Sequence, residues 1–169
     1  RPGTKPESCG QWTTFNPQSF TLKAYEKKVI SYNVKFPSDA NGGYYGVLFF
    51  ESGKGQKDTR TGVNVIARVG CLFFLETAGS ERKASILNAS ASGKGFGGEI
   101  QNKSQIVLIP HGIFYIMNSE GMVVDRGETE NFYLPAGQGA PFFINISDKV
   151  AQGTYTVVLT FELGDGATV

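Results

Sequence analysis

The chain has 169 residues, 16 Lys plus Arg against 15 Asp plus Glu, a formal net charge of +1 and 40% hydrophobic residues. That is enough apolar material for one large domain or two small ones, and it argues against intrinsic disorder. The balanced charge supplies no field that would gather phosphates or acidic lipids, which excludes nucleic acid as a default partner. No apolar run approaches the roughly 20 residues of a bilayer-spanning helix, so no transmembrane segment is expected. Gly at 22, Phe at 13 and Tyr at 7, against 2 Met and 1 Trp, favour strands and turns over helices.

The predicted elements are all strands. The first cover Gln11 to Phe15 and Ser19 to Leu22. Ile30, Tyr32, Val34 and Phe36 then alternate with Ser31, Asn33 and Lys35, the period of a half-buried antiparallel strand. Asn41-Gly42-Gly43 is a turn, and Tyr44 to Phe50 after it is apolar on both faces. Such a segment suits a central strand, covered by core on one side and by a partner or the sandwich edge on the other. Val63 to Leu75 is a long strand. Further strands are predicted over Lys83 to Ala89, Phe96 to Asn102, Gln105 to Ile109, Ile113 to Met117, Met122 to Val124, Asn131 to Leu134 and Pro141 to Ile146. Asn118-Ser119-Glu120-Gly121 reads as a hairpin turn among them. In the last strand Tyr155, Val157, Leu159, Phe161 and Leu163 oppose Thr154, Thr156, Thr160 and Glu162. No stretch of ten or more residues carries a helical stripe, which excludes an α/β fold; regularly spaced short strands predict an all-β chain of β-sandwiches.

Glu76 to Glu81 is a small, polar interruption, and a domain boundary there divides the chain into 1–78 and 79–169. The second part is long enough for a complete immunoglobulin-sized sandwich, whereas the first offers only about five strands. A sandwich short of strands leaves an open edge and an uncovered core, which another chain or segment must fill. The first domain is therefore expected to be incomplete, its missing strands lying upstream of Arg1 or donated in trans.

Ser8-Cys9-Gly10-Gln11-Trp12, Asn16-Pro17-Gln18-Ser19-Phe20-Thr21-Leu22, Val34-Lys35-Phe36-Pro37 and Gly43-Tyr44-Tyr45-Gly46-Val47-Leu48-Phe49-Phe50 resemble the second half of a PapD-like immunoglobulin domain. Such domains occur in bacterial periplasmic chaperone-like proteins and in cell-surface WxL-interacting proteins. The long strand that follows in that family would be Val63 to Leu75, with Arg68 at its Arg position. Glu99-Ile100-Gln101-Asn102, Leu134-Pro135-Ala136-Gly137 and Gly153-Thr154-Tyr155 are similar to stretches of the family's second domain. The resemblance implies two tandem immunoglobulin-like β-sandwiches, located in the periplasm or at the cell surface. It further implies non-enzymatic assembly work, chaperone-like or as a fibre or surface scaffold, through addition of a β-strand from a protein partner such as a surface or pilus subunit. Pilus chaperones of the usher pathway hold a client carboxylate with a first-strand Arg and a last-strand Lys of domain one. Here the first strand is missing and Val69-Gly70-Cys71-Leu72-Phe73 carries no Lys, so a structural or adhesive relative fits better.

The partner-strand edge is expected at Val63, Val65, Ala67 and Val69, with Arg68 as an anchor for a carboxylate or other polar group. The alternative is a module that binds carbohydrate or a cell-wall polymer through exposed aromatics, with Trp12, Tyr44 and Tyr45, and also Tyr25, as stacking rings. Two cysteines without metal-ligand spacing leave two readings: a Cys9 to Cys71 disulfide between neighbouring strands, or two buried thiols. One His and no paired Cys exclude a zinc site, and no metal or cofactor is expected. His111 lies in the turn Ile109-Pro110-His111-Gly112, and neither a Gly-x-Ser-x-Gly elbow nor a phosphate loop is present, so no enzymatic activity is expected. Asp125, Glu128 and Glu130 read as a solvated loop after Met122-Val123-Val124.

Overall fold

The computed structural model describes residues 5–53, 66–92 and 95–169. The described residues form strands and no helix, in several sheets, and the chain divides into two compact units, Arg1–Thr77 and Ala78–Val169.

Unit 1 contains two antiparallel pairs, β1 (Thr13–Asn16) with β2 (Ser31–Val34) and β3 (Gly43–Glu51) with β4 (Arg68–Glu76). The strand expected over Ser19 to Leu22 does not form. Pro17, which has no N–H to give a ladder, follows directly on β1. In the β3–β4 ladder Tyr44, Gly46, Leu48 and Phe50 stand opposite Leu75, Phe73, Cys71 and Val69. This face meets the β1–β2 layer, where Phe15 packs edge-on against Phe73 at 6.0 Å and Trp12 against Tyr44 at 4.4 Å. The other face carries Tyr45, Val47 and Phe49 opposite Phe74, Leu72 and Gly70, and Tyr45, Val47, Phe49 and Leu72 remain exposed on it. Among the described residues Cys9 is the one fully buried apolar side chain of unit 1.

The expected disulfide is corrected by the register: Cys9 and Cys71 are both free thiols. Cys9 is buried at the level of Gly46 and the Phe73 ring. Cys71 lies two residues further along β4, opposite Leu48, and is exposed. Two residues along a strand amount to roughly 6.6 Å, which separates the two levels by more than the span from one Cβ to the other in a disulfide.

Unit 2 is built from the sheets β11-β10-β7-β8 and β5-β6-β9, formed by β5 (Ala84–Ser92), β6 (Gly95–Asn102), β7 (His111–Met117), β8 (Val123–Glu128), β9 (Gly139–Asn145), β10 (Thr156–Gly164) and β11 (Ala167–Thr168). Their apolar rows face each other. Ile100 and Phe142 come from one sheet, Phe161 and Leu163 from the other, and Phe142 meets Phe161 edge-to-face at 5.2 Å. The alternation of the last strand holds at most positions, with Phe161 and Leu163 buried and Thr156, Val158 and Glu162 exposed, while Thr160 is half-buried like Leu159. Asn118 closes the β7–β8 turn: its Oδ1 accepts from the N–H groups of Glu120 and Met122, and Gly121 takes the left-handed φ of 79°.

The strands expected over Gln105 to Ile109 and Asn131 to Leu134 reduce to a single bridge, Leu108 with Leu134. Ile106, Leu108 and Leu134 are nevertheless buried in the core. Asn102, itself fully buried, holds these loops: its Nδ2 donates to the carbonyls of Ile106 (2.8 Å) and Leu134 (2.9 Å), and its Oδ1 accepts from the Ser104 N–H (2.7 Å). A buried amide with every group paired carries no desolvation penalty and fixes two irregular segments to the sheet end.

Candidate strand-accepting edges

In an antiparallel pair, alternate residues turn their N–H and C=O toward the partner strand and the others turn them away. Both ends of the β3–β4 ladder fix this phase. The Ser52 N–H donates to the Ala67 carbonyl (2.8 Å), and the Thr77 N–H donates to the Gly42 carbonyl (3.0 Å). Ala67, Val69, Cys71 and Phe73 therefore spend their backbone groups on β3, while Arg68, Gly70 and Leu72 direct theirs outward. No strand among the described residues pairs with that outer edge of β4. It is long and apolar, with Val69 at 66% and Leu72 at 55% exposure, the combination that invites an added strand.

The edge residues expected from sequence now separate. Val63 and Val65 lie outside the described residues. Ala67 is bound on both backbone groups to Ser52, its N–H donating to the Ser52 Oγ at 2.9 Å. Val69 offers an exposed side chain and an inward backbone, whereas Arg68 offers an outward backbone. Its guanidinium pairs with the Glu51 carboxylate and lies 5.2 Å from the centroid of the Phe49 ring. That ring in turn covers Gly70, where a Cβ would come within 3.1 Å of it. Arg68 is thus engaged by its cross-strand neighbours on the exposed face.

The aromatic candidates split by strand parity. Trp12 and Tyr44 pack together, with Phe36 at 6.0 Å from Trp12, and the Tyr44 hydroxyl is engaged by the Asn41 backbone, accepting from its N–H at 3.0 Å. Tyr45 points to the opposite face and is exposed. Tyr25 is fully exposed with a φ of 65°. These rings do not share one stacking platform.

Elsewhere the Asn131 Oδ1 lies 2.9 Å from His111 Nδ1 as a hydrogen-bond acceptor, and the Glu128 carboxylate lies 3.4 Å from His111 Nε2, tying the start of β7 to the end of β8. The Asp125 carboxylate accepts from the backbone N–H groups of Arg126 and Ser147. Among the described residues no His, Cys, Asp and Glu cluster has the makings of a metal site, and no helix is long and apolar enough to cross a membrane. Burial pushes the Cys9 thiol pKa up. Comparison with family models, with curated proteins and with solved structures finds no match.

Proposed function

We propose that the chain is a non-enzymatic interaction or assembly module that works by β-strand addition at the outer edge of β4. The observation that carries this reading is the outward row of backbone groups at Arg68, Gly70 and Leu72, on an apolar strand with one strand partner among the described residues. An incoming strand gains affinity from main-chain hydrogen bonds and register from apolar contacts beside Val69 and Leu72. In this reading Arg68 frames the end of the groove, the two units are tandem immunoglobulin-like domains, and the work is extracytoplasmic scaffolding or chaperoning, as the PapD-like resemblance implies. The aromatic alternative has less support, because Trp12 and Tyr44 spend their ring contacts on each other.

The test is amide hydrogen exchange with a short synthetic peptide that alternates valine and threonine between terminal lysines. The peptide is expected to slow exchange at Arg68, Gly70 and Leu72. Leu72→Pro removes an outward N–H without touching the β3 ladder and abolishes that slowing, whereas Leu72→Thr keeps it. Unchanged exchange at these amides in the unsubstituted protein overturns the proposal.

A further inference from the structure

In unit 2 the loop between β9 and β10 encloses an open pocket of about 380 Å³, inside the roughly 300–1,000 Å³ of small-molecule sites. Its floor is the end of the core, where Ile146 and Tyr155, both half-buried, pack on Phe114, Ile116 and Ile144. Val150 adds a further apolar wall. Ser147, Asp148 and Gln152, all exposed, form a polar rim above it.

The loop holds this shape through its own hydrogen bonds. The Ser147 N–H donates to the Asp125 carboxylate of β8 (2.8 Å), and the Val150 N–H donates to the Ser147 carbonyl (3.0 Å), closing a turn. The Tyr155 hydroxyl crosses the loop to donate to the Ala151 carbonyl (2.7 Å). Gly153 lies against the same ring, where a Cβ would sit 3.4 Å from it. Tyr155 is therefore fixed before any ligand arrives, with its proton engaged and its ring carbons left to make contact.

The lining selects a ligand class. Among the described residues no Lys or Arg lines the pocket, and Asp148 brings a carboxylate to it, which disfavours an anion. A pure hydrocarbon would strip water from Ser147, Asp148 and Gln152 and return no hydrogen bond. An aromatic and aliphatic floor under a hydroxyl, a carboxylate and an amide fits a ligand with one apolar C–H face and hydroxyl groups around its edge, which is a pyranose ring.

We infer that the β9–β10 loop of unit 2 is a binding site for a neutral saccharide, with a pyranose ring lying on Tyr155 and its hydroxyls meeting Ser147, Asp148 and Gln152. This site is separate from strand addition at β4 and uses none of the unit 1 aromatics.

The test is titration of the full chain with cellobiose and with maltose, followed by amide and aromatic NMR signals. At least one of the two is expected to give saturable shifts at Ser147, Asp148, Gln152, Gly153 and Tyr155. Gln152→Ala, on the exposed rim, is expected to weaken that binding by about three- to tenfold, the worth of one hydrogen bond. Tyr155→Phe keeps the ring and is expected to retain binding, whereas Tyr155→Leu is expected to lose it, with unchanged Phe114, Ile116 and Ile144 signals reporting that unit 2 stays folded. The absence of saturable shifts at the loop with both sugars overturns the inference, as do sugar shifts confined to Trp12 and Tyr45. Loop shifts produced by tetramethylammonium and by neither sugar assign the pocket to an organic cation held by Asp148, and overturn the saccharide class. All three results leave strand addition at Arg68, Gly70 and Leu72 to its own peptide test.

Discussion

The two units use similar strands to opposite ends. In unit 2, β7 has β10 on one edge and β8 on the other, and its buried side chains Phe114 and Ile116 pack with Ile144 of the facing sheet. In unit 1, β3 has β4 on one edge and a single rung from Ser8 on the other, and large apolar side chains stay exposed along it. Every fully buried apolar side chain among the described residues belongs to unit 2, Cys9 excepted. The comparison teaches that hydrophobic content does not by itself make a core. Burial needs a second layer and paired edges, and unit 1 has too few strands among the described residues to supply them.

The largest expected effect is in the core of unit 2. Phe161→Ala removes a side chain with no exposed surface, between Phe142 and Gly112, and is expected to lower stability by about 3–5 kcal/mol in denaturant titration followed by unit 2 amide signals. A loss under about 1 kcal/mol would mean that the sheets of unit 2 are not packed through this residue. Next comes Asn102→Ala, which leaves the Ile106 and Leu134 carbonyls and the Ser104 N–H without their side-chain partner. It is expected to cost about 1–3 kcal/mol by the same titration, and to loosen the Leu108 to Leu134 bridge in amide exchange.

The matching experiment in unit 1 sharpens the contrast. Leu72→Ala deletes an apolar side chain of similar size from an exposed edge and is expected to change stability by less than about 0.5 kcal/mol, read by the fluorescence of Trp12. A core-sized loss there would mean that something covers the edge. The smallest effect concerns the thiols. Cys71 is expected to react quickly with a thiol reagent and Cys9 only after unfolding. Because burial raises the Cys9 pKa above its ordinary 9.0, the folded state holds that proton longer than the unfolded state does. The associated stability is present in full below pH 9.0 and is lost as pH rises through the folded pKa. A Cys9→Ala variant is expected to show a flatter alkaline limb in thermal unfolding than the unsubstituted protein.

Much of this architecture was legible in the residues. Alternation in Thr154 to Leu163 specified a half-buried strand because side chains on a strand change face at every step. The run Tyr44 to Phe50, apolar on both faces, read as a central strand, but among the described residues β3 has one strand partner and Tyr45, Val47 and Phe49 stay exposed on one face. Which edge lacks a neighbour was not legible, since the direction of a backbone N–H leaves no mark on the side chain. For that reason Ala67 and Val69 read as edge residues although their N–H groups face β3, and Val47, Phe49 and Glu51 were not singled out at all. A tighter signal was available in Ser8 to Trp12, where a turn so close to a strand cuts a ladder short. The runs Gln105 to Ile109 and Asn131 to Leu134 read as strands because they are apolar. They fill the core as loops because the buried Asn102 amide takes the place of a neighbouring strand for their carbonyls. The cysteine pairing failed on register, which two-residue spacing along β4 decides and composition does not.

The central claim is that, among the described residues, the β3–β4 sheet of unit 1 has no further strand partner beyond the single rung from Ser8. Native-state amide exchange on the chain alone tests it most directly. The account predicts an alternating record in which Leu48, Phe50, Val69 and Cys71 exchange slowly while Val47, Phe49, Glu51, Arg68, Gly70 and Leu72 exchange quickly, against uniformly slow exchange along β7. Slow exchange at every residue of β3 and β4, at a concentration where the protein is monomeric, would contradict it.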